Sequence, residues 1–287
     1  MNMMELIILI TLLVMLVIAT GYDLKWRYVP DYASYSFIGI AIIERILYAL
    51  ELNNLNALSW AAPATLMLGG FGYLLYRAGM WGGGDVKIIT STAILLSWFP
   101  GETIPLFIDF FMNLMILGAV WTLPIAVIIG LKNKIKPTMT EKILMIIGIT
   151  GWLLISQLMK PLTGFITGLG LFTLTSINYL KRVEKKGFIK PANMKTLMDG
   201  DWLTEEVKVG RKTIKPRKQG LTKKEAEQIK KWWRKGKLKK KPLIKEGIAY
   251  LPAFLLTYAA TILMGNLMII TLAEGLINGP EMIMILK

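Results

Sequence analysis

Apolar residues in this chain fall in long unbroken blocks, without the alternation of a half-buried strand or the spacing of an amphipathic helix. Near 6–22, 33–50, 57–76, 86–100, 104–131, 143–159, 162–180 and 247–272 these blocks approach the roughly 20 residues that an α-helix needs to cross a bilayer. The pattern predicts an all-α polytopic membrane protein with about eight transmembrane helices. Helices are expected because each satisfies its own backbone in hydrocarbon. The fourth block is short, about 15 residues, and its glycine-rich start is tolerated at membrane depth only under a cover of protein or water. The first block lacks a small-residue cleavage site and reads as a retained helix.

The polar segments between blocks set the orientation. Segments 23–32, 77–87, 132–142 and 181–246 carry 31 of the 34 Lys and Arg residues. Basic loops stay cytoplasmic, so the N-terminus is expected outside and all four segments inside. A mean hydropathy of +0.51 agrees with a multi-pass protein of the cell membrane. Segment 181–246 differs in kind from the rest: it holds 23 basic and 8 acidic residues, a net +15 that equals the charge of the whole chain. Within it, Glu205–Val209 and Lys212–Lys215 alternate around Gly210-Arg211 as a hairpin would. Thr222-Lys223-Lys224-Glu225 reads as a capping box opening a helix with Ala226, Ile229 and Trp233 on one face. This predicts a small basic cytoplasmic α+β domain before the last helix, resting on an anionic lipid surface with Trp232 and Trp233 at the interface. Nucleic acid is the competing partner for such a patch, disfavoured by membrane spans on both sides, and no nucleic-acid role is expected. The expected organisation is a catalytic membrane core at 1–131, two additional helices at 132–180, the basic domain at 181–246, and a final helix and tail at 247–287.

Candidate chemistry is confined by what is missing. The chain has no His and no Cys, which removes Ser-His-Asp and Cys-His pairs, His/Cys zinc sites and disulfides; no metal or cofactor is expected. Acid/base work falls to carboxylates. Asp23 ends the first apolar block in Gly21-Tyr22-Asp23-Leu24-Lys25, and Asp85 precedes the fourth in Gly82-Gly83-Gly84-Asp85-Val86-Lys87. The orientation puts both at the cytoplasmic face. Asp85 alone fits two readings, an N-cap of its helix or a catalytic acid. Asp23 alone fits a solvated helix end balanced by Lys25 and Arg27. Together they suggest a pair in which repulsion raises one pKa so that a proton is shared near neutral pH. Gly82, Gly83 and Gly84 are expected to give positive φ and close packing before Asp85, and Lys87 to follow orientation or to tune the pair.

Gly82-Gly83-Gly84-Asp85 resembles the Gly-x-Gly-Asp motif of membrane aspartic proteases. Asp23 to Asp31, with its basic residues and Pro30, is similar to the first-aspartate segment of type IV prepilin and preflagellin (archaellin) peptidases, over roughly residues 5–131. Glu246 to Leu255 looks like the last helix of the archaeal branch. The resemblance implies an aspartic endopeptidase of the archaellum or type IV pilus systems. It would cleave a short basic leader from pilin-like or archaellin precursors, with Asp23 and Asp85 as the dyad. Without cysteine the chain departs from the zinc-loop, methylating bacterial enzymes, which points to the archaeal branch; the helices at 143–180 look like an addition. A presenilin-like or signal-peptide-peptidase-like intramembrane protease shares the motif but sets its first Asp deeper. A transporter is the non-enzymatic alternative.

Other polar residues in apolar blocks take structural readings first. Asp31 is expected to cap the second helix. Glu44 with Arg45, and Asp109 with Asn113, are expected to pair with one another or to sit near the outer interface. Pro252-Ala253 is expected to kink its helix, and Asp199-Gly200-Asp201 to form a turn.

Overall fold

The computed structural model describes residues 2–276. Helix α1 (Met3–Trp26) starts at a reciprocal capping box, Asn2 with Glu5, and ends where Arg27 turns left-handed at φ 57°. Helix α2 (Asp31–Glu51) follows Pro30, whose ring suits a helix start. Short helices α3 (Asn56–Ser59) and α4 (Ala61–Ala64), a π-helical turn at Thr65–Gly69 and α5 (Gly70–Ala78) form one continuous apolar rod. Helix α6 (Gly83–Leu95) then runs beside α2 and α1. Helices α7 (Leu106–Lys132), α8 (Met139–Leu158) and α9 (Pro161–Gly187) precede a region of short strands. These are β1 (Ile189–Pro191), β2 (Trp202–Leu203), β3 (Val207–Val209), β4 (Lys212–Ile214) and β5 (Leu243–Lys245), with α10 (Lys223–Arg234) before β5. Helices α11 (Leu251–Met264) and α12 (Leu267–Leu276) close the described chain.

Among the described residues five stretches are long and apolar enough to cross a membrane: Met3–Trp26, Asp31–Glu51, Ala57–Ala78, Leu106–Lys132 and Met139–Leu158. The other three expected spans take different forms. The block at 86–100 is the 13-residue α6, about 20 Å long and too short to span alone. The block at 162–180 is the first two-thirds of α9, whose last turns carry Lys181, Arg182, Lys185 and Lys186. The block at 247–272 is two helices, because Gly265 at φ 76° and ψ −145° ends α11 in a conformation closed to other residues. Lipid explains the surface: Ile10, Leu13, Val14, Val17 and Ile18 of α1 point outward, and burying them against protein would gain little over hydrocarbon.

The chain forms two compact units, Met1–Phe99 with Phe188–Ala249, and Pro100–Gly187 with Tyr250–Lys287. In the first, Arg45 is fully buried, and its guanidinium donates to the carbonyls of Ile94 at 2.8 Å, Leu95 at 2.7 Å and Trp98 at 2.9 Å. Ile94 and Leu95 end α6 and Trp98 lies just past it, so the cation caps the negative end of that helix and the turn that follows. Glu44 accepts from Thr11 at 2.7 Å, joining α2 to α1. The insert of this unit has its own core of Leu197, Leu203, Ile214, Leu221, Ile229 and Trp232. Antiparallel β1-β5-β2 and the expected hairpin, β3-β4, lie around α10, which opens on the Thr222–Glu225 capping box. Trp232, expected among lipid headgroups, is only 5% exposed: α10 turns Ala226, Ile229 and Trp232 inward, so Trp233 is the half-buried one.

In the second unit α8 and α9 pack closely. A Cβ on Gly168 would fall 2.0 Å from Trp152 Cδ1, so only glycine permits this approach. The break between α11 and α12 is held by α7. Asn113 donates to Thr261 Oγ1 at 3.0 Å and to the Gly265 carbonyl at 2.8 Å, and Asn266 donates to Asp109 at 2.7 Å. The polar residues of this span thus satisfy a broken helix, in place of the pairing between Asp109 and Asn113 that the sequence suggests.

Candidate active site

Asp23 lies on the inward stripe of α1, in register with Ile8, Leu12, Met15, Leu16, Ala19 and Thr20. The helix continues one turn beyond the apolar block, to Trp26, so Asp23 is in a helical turn and only 8% exposed. The Arg27 N–H bonds to the Asp23 carbonyl at 2.9 Å and ends the helix there. Lys25 and Arg27, which would balance a solvated acid, are themselves exposed while Asp23 is not. The reading of Asp23 as a solvated helix end does not hold.

Asp85 occupies the third position of α6, with Gly82 as the N-cap. Its Oδ2 accepts from the Gly82 N–H at 2.9 Å, the backward half of a capping box; glycine has no side chain to return the bond. Oδ1 makes no hydrogen bond among the described residues. The glycines do not serve the backbone as expected. Gly82 has φ −78°, and Gly83 and Gly84 are ordinary helical residues, because a helix start demands no left-handed conformation. Nor is the packing tight, since a Cβ on Gly84 would stand 3.6 Å from Val29, an ordinary contact. Three residues without side chains leave Asp85 half-buried and approachable over the first turn of α6.

Helices α1 and α6 pack together, and this brings the end of one to the start of the other. Asp85 sits in the first turn of the short α6, outside the five long apolar stretches. Burial among protein atoms raises its pKa from an ordinary 3.8 to about 7, and the charge of Asp23 adds to the rise; the Gly82 N–H opposes both. Part of the Asp85 surface still opens outward, which admits a reactant without restoring full hydration. The structure thus brings together the two carboxylates that stand 62 positions apart in sequence. One can be charged while the other holds a proton at neutral pH, the arrangement that acid/base hydrolysis requires.

Lys87 is held away from a free role. It makes an ion pair with Asp31 and lies 4.2 Å over the Tyr35 ring, tying the start of α2 to that of α6. Asp31, expected to cap the second helix, is instead a strut of the site, since the N-cap of α2 is Pro30 with no side-chain cap bond. Sequence reasoning missed two further contributors. Arg45 anchors the far end of the helix that carries Asp85, and its signal was a lone Arg within an apolar block. The insert is the other: Gly79, beside the glycine run, is left-handed at φ 76° and packs against Lys218, and Lys195 to Met198 face the end of α1 across a cleft. No local pattern signals that contact.

Residues 10–131 match the type IV leader peptidase family, a stretch that contains both carboxylates and the glycine run. No curated protein and no solved structure matches the chain.

Proposed function

We propose that this multi-pass membrane chain, whose residues 10–131 match the type IV leader peptidase family, is a prepilin-type peptidase that works as an aspartic endopeptidase through Asp23 and Asp85. The observation that carries the mechanism is the meeting of a buried carboxylate at the end of α1 with a proton-holding one at the start of α6. Charged Asp23 takes a proton from water as the water oxygen attacks the scissile carbonyl. Asp85, as the acid, gives its proton to the carbonyl oxygen, forming a neutral tetrahedral diol. Asp23 then passes its proton to the leaving amine while Asp85 recovers one from a diol hydroxyl, and the C–N bond breaks. Both carboxylates end as they began. The bare surface of Gly82 to Gly84 lets a substrate backbone lie over the first turn of α6. Lys87 and Asp31 hold that turn in place.

Asp23 is three residues from the end of α1, which supports cleavage at the membrane boundary over cleavage at mid-plane. The excess of basic residues in 23–32, 77–87, 132–142 and 181–246 supports a cytoplasmic face for the site and an outside N-terminus, with about eight spans. The substrate is then a pilin-like or archaellin precursor cut at its short basic leader. The absence of cysteine supports the archaeal branch, without a zinc loop or methyl transfer. The test is cleavage of a precursor pilin by solubilised protein, with precursor and mature forms as size markers. Asp23→Asn and Asp85→Asn should each abolish product while inserting normally, since an amide cannot carry the proton. Full activity in either variant refutes the dyad.

A further inference from the structure

The end of α1 forms one wall of a cleft of about 610 Å³, and the insert forms the other. Lys25 and Arg27 line it from α1 and its cap, and Lys195 and Lys230 line it from the insert. Its one acid, Glu246, is already paired with Lys190 at 2.5 Å. Among the described residues none of the four lining cations has a carboxylate partner. Gathering four like charges around one cavity is unfavourable unless an anion fills it. The level of the cleft is set by Trp26, which lines it, is 48% exposed and ends a membrane-crossing helix, as interfacial tryptophans do. Lys25 lies 4.4 Å over the Trp26 ring, so cation and aromatic face the same zone.

We propose that this cleft binds the headgroup of one anionic phospholipid, with Lys25, Arg27, Lys195 and Lys230 contacting its phosphate. The insert is thereby a lipid-binding element through a defined site, with its Trp232 serving the insert's own core. The site does not depend on the peptidase reading, because no catalytic carboxylate lines it.

The test is native mass spectrometry of the full-length protein in detergent, titrated with phosphatidylglycerol, phosphatidylcholine or glycerol 3-phosphate. Wild type should retain one phosphatidylglycerol. Lys195→Gln with Lys230→Gln should weaken that binding about 30-fold, the factor given by about 1 kcal/mol per lysine at about 1.4 kcal/mol per tenfold. Lys195→Arg with Lys230→Arg should retain it, which separates loss of charge from loss of structure. Lys223→Gln with Lys239→Gln removes equal charge outside the cleft and should change affinity less than about twofold. Equal weakening by both Gln pairs would reduce the effect to diffuse surface charge and overturn the site. Equal affinity for phosphatidylcholine, or for glycerol 3-phosphate without acyl chains, would overturn an anionic lipid as the occupant.

Discussion

Asp85→Asn keeps the shape of the side chain and removes its proton chemistry, so it separates stability from catalysis. With a folded pKa of about 7 against an ordinary 3.8, the native state holds this proton more tightly than the unfolded chain does. The cost of the charge is therefore absent below about pH 4, grows as pH rises, and is complete above about pH 7. A shift of about 3 units is about 4 kcal/mol at 1.36 kcal/mol per unit. Halving this for the open part of the Asp85 surface leaves about 2 kcal/mol. The Asn variant should then melt about 4–8 °C above wild type at pH 8, at roughly 2–4 °C per kcal/mol, and the gap should close by pH 4. Thermal melts followed by tryptophan fluorescence across that range provide the measurement. In the leader-cleavage assay the same variant should lose at least about a hundredfold in rate, the low end of a general-acid contribution. Wild-type kcat/KM should fall about tenfold per pH unit above about pH 7, as Asp85 loses its proton. A variant that melts like wild type at pH 8 refutes the buried charge, and one that cleaves within tenfold of wild type refutes the role.

Arg45→Met should destabilise the protein by about 3–5 kcal/mol in a urea or thermal melt, since it strands the carbonyls of Ile94, Leu95 and Trp98; a neutral result would refute its role as the cap of α6. Gly84→Ala should fold with stability within about 1 kcal/mol of wild type, because its Cβ meets Val29 at an ordinary distance, yet cleave more slowly if a substrate backbone lies there. A variant with wild-type kcat/KM would refute that use of the glycine run. Gly168→Ala should lower the melting temperature through its clash with Trp152, while Gly170→Ala, with nothing within 4 Å, should not. Trp232→Ser should cost about 3–5 kcal/mol and expose the insert to limited proteolysis in the full chain, with Trp233→Ser much milder; equal effects would contradict the burial of Trp232.

Much of this molecule is determined by local physics and so can be read from its sequence. Long apolar blocks require helices in a membrane, and the structure forms helices at all eight positions, five of them both long and apolar enough to span among the described residues. The β3-β4 hairpin around Gly210 and the Thr222 capping box depend on neighbours within seven residues, and both form. The absence of His and Cys directs attention to carboxylates, and the motifs select Asp23 and Asp85. Tertiary structure decided what depends on distant partners. Whether Asp23 is solvated or buried depends on where α1 ends, and a left-handed Arg27 sets that one turn beyond the apolar block. The high pKa of Asp85 comes from surrounding protein and from Asp23, neither of which is local to it. Arg45 seeks the carbonyls of a helix some 50 residues away, and Asn113 the backbone of a helix break some 150 residues away. The insert joins the unit of the two carboxylates across the intervening residues 100–187, and its lysines line a cleft with Lys25 and Arg27. Sequence fixes the charge of such residues, while their partners are set by packing between elements, because hydrogen bonds and Coulomb interactions act over a few ångströms of space whatever the separation along the chain.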